Sequence, residues 1–241
     1  MAALAWIGVA VMTVFFTAWI WFLYWVHPLV DPQRRLLHRI ASWWGRGLVS
    51  LAPGSRVRII GGSHIPHGRP VIFMANHQSY VDVPTLFYLP GQFKWMADVE
   101  LFRIPIFGWA MRMAGYIPVQ RGDPRSGIRS LERAKGWLRE GISIFIFPEG
   151  TRSRSGILGR FQTGGFRLAL SAGVPIVPVV VAGTRQLLPR GSWIFRWGIR
   201  IQIRILEPVL PPSERSGVRR FMEQVRSRMR EGYQREIRQL R

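Results

Sequence analysis

One histidine stands out by its neighbours. His77 follows an apolar stretch and lies in Asn76-His77-Gln78-Ser79-Tyr80-Val81-Asp82. A carboxylate that folds back onto one imidazole nitrogen fixes the tautomer and leaves the other nitrogen able to take a proton. Asp82-Val83-Pro84 reads as a helix start, which would turn Asp82 toward His77. A second cluster, Phe147-Pro148-Glu149-Gly150-Thr151-Arg152-Ser153, combines an acid, a permissive glycine, a hydroxyl and a guanidinium fork. That fork suits a phosphate. Alone, a His and an Asp at this spacing would cap a strand and a helix. Two such clusters, each after an apolar run, point to one crevice at the carboxyl edge of a sheet.

Other chemistries are excluded or weakly supported. The chain has no cysteine, hence no thiolate nucleophile, disulfide or Cys-ligated zinc. His64 and His67 flank Ile65-Pro66 without a further ligand cluster, too little for a zinc site.

The elements that must position these residues alternate. Strand-like apolar runs occur at 57–60, 71–75, 93–96, 117–119, 142–147 and 176–181. A further run, 199–205, alternates Ile with Arg or Gln, as expected of a two-sided strand nearer an edge. Between the runs lie helical patterns, such as 124–140 with Ile128, Leu131, Ala134 and Leu138 on one face. The fold class expected is α/β, with a sheet largely buried on both faces. Val218, Met222, Val225, Met229, Tyr233 and Ile237 predict a C-terminal amphipathic helix, packed on the domain or touching anionic lipid through its arginines.

The first segment is of another kind. No Asp, Glu, Lys or Arg precedes Asp31, and residues 2–26 are apolar or aromatic apart from Thr13 and Thr17. That exceeds the roughly 20 residues a helix needs to cross the hydrocarbon core. Trp19, Trp21, Tyr24 and Trp25 suit the headgroup level, and Arg34, Arg35 and Arg39 place that end on the cytoplasmic side. Residues 33–51 read as an amphipathic helix lying in the interface, although packing on the domain would give the same pattern. Residues 1–52 therefore form the expected membrane anchor, and 53–241 the globular domain.

Charge limits the partners. The 241-residue chain carries 34 Lys+Arg against 13 Asp+Glu, a formal charge of +21, and is 48% hydrophobic, which excludes disorder. The only lysines are Lys94 and Lys135. Such a field attracts an anionic membrane surface, phosphorylated substrates, acidic carrier proteins or nucleic acid. Nucleic-acid binding is disfavoured, because the aromatics cluster in the apolar N-terminus and the strands, and it would leave both clusters unexplained.

These motifs resemble those of the glycerolipid acyltransferases related to 1-acylglycerol-3-phosphate acyltransferase. Residues 76–82 match the family's NH-x4-D block, and 147–153 its FPEGTRS block. Residues 115–121 resemble the block ending in arginine, here Arg121, and 174–179 the apolar proline-containing block. All four stand in family order. The resemblance implies an αβα domain with a mixed, mostly parallel sheet, docked to the membrane by N-terminal helices. It also implies acyl transfer from acyl-CoA or acyl carrier protein to a lysophospholipid hydroxyl, without metal or redox cofactor. His77 would be the general base and Asp82 its orienting partner. Arg121 and Arg152 would bind the acceptor's phosphate, with Glu149, Gly150 and Thr151 shaping that pocket. No serine sits in a nucleophile elbow, so direct transfer is favoured over an acyl-enzyme. Two departures bear on the acceptor: Asp98 stands where many members have lysine, with Lys94 one helical turn upstream as a candidate replacement, and Gln162 stands at a second lysine position. The expected product is phosphatidic acid; another lysolipid, such as an aminoacyl lipid, or glycerol 3-phosphate is the alternative acceptor.

Overall fold

The computed structural model describes residues 2–120, 122–153, 155–212 and 217–240. Seven strands form one sheet in the order β1-β7-β6-β2-β5-β3-β4. They are β1 (Arg56–Ile60), β2 (Ile72–Ala75), β3 (Phe93–Asp98), β4 (Ile117–Val119), β5 (Ser143–Ile146), β6 (Ile176–Ala182) and β7 (Arg200–Ile205). The sheet is mixed and mostly parallel, as expected: β6, β2, β5, β3 and β4 run together, whereas β7 is antiparallel to β6 and parallel to β1. All seven runs read from the sequence are strands, because β-branched and aromatic residues suit a pleated surface; β2 and β6 at its centre are buried on both faces. β7 lies one position from the edge and buries every second residue.

Register divides the side chains between two layers. Phe73 pairs with Phe145 and Val177, and these face α1 (Ala2–Tyr24), α3 (Arg35–Ser50) and α4 (Asp82–Leu86). Ile72, Met74, Ile144 and Ile176 face α6 (Pro124–Arg139), α7 (Gly164–Ala172) and α9 (Val218–Leu240). The short helices α2 (His27–Val30), α5 (Phe107–Met113) and α8 (Thr184–Leu187) lie in the connections. The C-terminal helix takes the packed alternative: Phe221, Val225, Met229 and Tyr233 are buried, and Glu236 pairs with Arg204 of β7.

The N-terminal segment is built into the domain. The apolar side of α3 is buried through Leu37, Ile40, Ala41 and Val49, so packing, not an interface, takes that stripe. Residues Ala3–Tyr24 are long and apolar enough to cross a membrane. One side of α1 nevertheless lies on the protein from near its start to near its end: Trp6 contacts Trp193 and Phe195, Trp44 donates to the Thr13 hydroxyl, and Ile20 is buried. The other side exposes Leu4, Ile7, Val11, Phe15 and Phe22.

Candidate active site

β2 and β5 are parallel neighbours, so their carboxyl ends open at the same edge of the sheet. This brings the two sequence clusters together. Asn76 extends β2 by side-chain mimicry: its amide donates to Val181 O and its carbonyl accepts from Val181 N, both at 2.8 Å. His77 comes next, fixed from three directions. Its Nδ1 lies 2.7 Å from Asp82 Oδ2, its backbone N–H donates to Glu149 Oε1 at 3.0 Å, and its ring stacks on Phe147 at 4.0 Å and 15°.

Asp82 is fully buried and begins α4. Its carboxylate turns away from that helix: Oδ2 also accepts the backbone N–H groups of Gln78 and Ser79 at 2.6 and 2.8 Å. Three donors on one oxygen hold it in place, and a donor at His77 Nδ1 leaves Nε2 to accept a proton. Among the described residues nothing bonds Nε2, and His77 lines a cavity.

Glu149 is a brace. Oε1 takes the His77 N–H and Oε2 the Gly159 N–H at 2.7 Å, so both oxygens tie backbone segments together. Burial pushes its carboxyl up from the ordinary range, and the two N–H groups and His77 partly oppose that. A Cβ on residue 159 would stand 2.9 Å from Glu149 Oε2, so a side chain there would push against this carboxylate. Gly150, at φ 69°, makes the left-handed turn and donates to Phe147 O. Gly150 and Thr151 line the cavity beside His77, together with Gln162. Arg152 is not among the lining residues: its guanidinium lies 3.5 Å over the ring of Tyr80, which does line the cavity, and its carbonyl accepts from Arg190. Arg121 lies outside the described residues.

The cavity, of about 1120 Å³, exceeds the usual range of small-ligand pockets, about 300–1,000 Å³. Trp6, Thr13, Phe16 and Ile20 of α1, with Ala41 and Trp44 of α3, form one wall; Asp98, Val119 and Gly122 line another part. An apolar space of this size beside a His–Asp pair suits long hydrocarbon chains.

Lys94 does not take the position vacated at Asp98. Residues 93–98 are strand, not helix, and Lys94 is buried beneath Trp137, donating to Ala114 O at 2.9 Å and Arg34 O at 3.3 Å. Asp98 itself accepts the Glu100 N–H. His64 also has a structural partner, with Nδ1 2.9 Å from Ile205 O. Asn76 and Phe147 were not singled out by spacing. Strand parity carried a signal for the latter: 73, 75 and 77 alternate with the same phase as 145 and 147 in the paired strands.

Residues 56–182 match the acyltransferase family profile. The chain belongs to the acyltransferase family. It is 42% identical over 171 residues to a chloroplastic 1-acyl-sn-glycerol-3-phosphate acyltransferase of Arabidopsis thaliana, covering 69% of this chain and 48% of that one. To a 1-acyl-sn-glycerol-3-phosphate acyltransferase of Limnanthes douglasii it is 32% identical over 201 residues, 81% of this chain and 70% of that one. The chain thus spans about half the length of the Arabidopsis relative. Its fold is similar to the crystal structure of the 1-acyl-sn-glycerophosphate (LPA) acyltransferase PlsC of Thermotoga maritima, with TM-score 0.77, 28% identity and coverage of 96% of this chain and 94% of that one.

Proposed function

We propose that the protein is a membrane-bound O-acyltransferase that moves a fatty acyl group from acyl-CoA or acyl carrier protein to the sn-2 hydroxyl of 1-acylglycerol 3-phosphate, giving phosphatidic acid. The observation that carries this reading is His77 held through Nδ1 by buried Asp82 on the wall of a large, mostly apolar cavity. A glycerol hydroxyl is a weak nucleophile near neutral pH. His77 Nε2 takes its proton as the oxygen bonds to the thioester carbonyl carbon. The tetrahedral intermediate then expels the thiolate, which recovers the proton from the imidazolium. Asp82 stabilises that imidazolium and fixes its orientation. The atoms balance without a metal or redox cofactor.

The acceptor's phosphate is assigned to Arg121 and Arg152, with Gly150 and Thr151 at the pocket floor and Glu149 holding that floor in place. Arg152 reaches such a phosphate by leaving the face of Tyr80, an exposed ring. The outward side of α1 sits in the bilayer, and Arg34, Arg35 and Arg39 keep the catalytic domain on the cytoplasmic face. One observation favours another lysolipid acceptor, such as an aminoacyl lipid: Asp98 and Gln162, at positions where the family resemblance implies lysine, both line the cavity. The deciding experiment is a matrix of purified enzyme with several lysolipids and glycerol 3-phosphate against acyl-CoA and acyl carrier protein donors. Lysophosphatidic acid should be the best acceptor. Preference for a headgroup without a phosphate monoester would overturn the assignment.

A further inference from the structure

Exposed apolar side chains gather on α1 and in the segment between α8 and β7. There Trp193, Ile194 and Trp197 are 69%, 65% and 43% exposed, interleaved with exposed Arg190 and Arg196. Large apolar groups exposed together mark an interaction site, and tryptophan beside arginine is the composition favoured at a lipid–water interface. The segment is seated, not loose. Arg196 N–H donates to Leu187 O at 2.8 Å, and Trp6 Nε1–H donates to Trp193 O at 2.8 Å. The Trp6 ring lies 5.3 Å from both Trp193 and Phe195, which joins this patch to Leu4 and Ile7 on the exposed side of α1. Trp193, Phe195 and Trp6 also line the cavity that holds His77. By contrast, the arginines of α9 belong to the layer on the other face of the sheet.

We propose that segment 190–197 is a second membrane-contact element. It places Trp193, Ile194 and Trp197 in the interfacial region of an anionic bilayer beside the first turns of α1, with its arginines at the headgroup phosphates. The cavity wall of Trp6, Trp193 and Phe195 then faces the leaflet, so a lysolipid chain enters sideways without crossing water. This inference rests on the membrane-bound reading above, and the test separates the two.

Because the chain has no cysteine, Ile194→Cys, Val11→Cys on α1 and Gln224→Cys on α9 each give a single labelling site. Each full-length variant carries an environment-sensitive nitrobenzoxadiazole probe and is reconstituted with phosphatidylcholine–phosphatidylglycerol vesicles. Probes at 194 and 11 should shift to the blue and lose fluorescence to doxyl-labelled lipid, whereas the probe at 224 should do neither. Quenching at 11 without quenching at 194 overturns the loop's role and leaves the membrane reading intact. Absence of quenching at both positions overturns both. Ile194→Asp provides a second measurement: its binding to anionic vesicles should weaken, and binding equal to the parent's would count against the proposal.

Discussion

Glu149 Oε1 accepts the backbone N–H of His77 at 3.0 Å, joining two loops 72 positions apart in the chain. The contact makes the second motif a support for the first. Glu149→Gln keeps one acceptor but turns an amide N–H₂ toward the other backbone donor, leaving it unpaired at a cost of about 1–3 kcal/mol. Activity should fall and the thermal transition should move down. The pH dependence has a definite sign. A carboxyl whose folded pKa is raised binds its proton more tightly when folded, so its contribution to stability is present at low pH and lost as pH climbs from its ordinary value of 4.5 through the folded value. The parent should therefore lose stability relative to Glu149→Gln across that window, as read by denaturant melts at stepped pH.

His77→Ala should abolish transfer while leaving the fold and vesicle binding in place, with a loss on the order of 10²–10⁴-fold for a general base. Asp82→Asn should be nearly as severe, because an amide presents the wrong partner to Nδ1 and disturbs the Gln78 and Ser79 bonds. Turnover near the parent's in the His77 variant would remove it from the chemistry.

Arg152→Ala and Arg121→Ala should each chiefly raise the KM for lysophosphatidic acid, by roughly 1.5–3 kcal/mol of lost charge-assisted hydrogen bonding. Acceptors without a phosphate monoester should respond little to either substitution. Steady-state kinetics on both classes of acceptor check this; equal losses on both would make the arginines structural.

Lys94 should give the fold a measurable pH slope. Burial, reinforced by Arg34, lowers its pKa from 10.5 to about 7, with Asp31 and Glu140 opposing. The folded state then holds fewer protons than the unfolded chain between those values, so this group makes stability rise with pH across the window, by up to about 1.4 kcal/mol per unit. Lys94→Met should flatten that rise in unfolding experiments between pH 7 and 10.5. An unchanged slope would place the titrating group elsewhere.

Deleting residues 1–26 should release the protein from carbonate-resistant membranes and also abolish activity. Trp6, Thr13, Phe16 and Ile20 line the cavity beside His77, so under the proposed function the helix serves the substrate site as well as attachment. A truncated protein that retains turnover would show that wall to be dispensable.

The seven strands, the long helices and the pairing of His77 with Asp82 were legible in the sequence because each depends on local pattern: alternation, helical spacing, and a loop too short to carry Asp82 away. Side-chain fate depends on distant partners. Lys94 was legible as a charge, but only packing under Trp137 makes it a buried brace. Glu149 was legible only as part of the motif shaping the phosphate pocket; parallel pairing of β2 with β5 is what sets it against the His77 and Gly159 N–H groups. The apolar stripe of α3 has the same period whether lipid or protein covers it, and only the contacts of Leu37, Ile40 and Val49 with the core decide that protein does. The sequence by itself determined the candidate residues and their spacing; sheet order and register decided which of them meet, since hydrogen-bond pairing between strands is what brings together loops far apart along the chain.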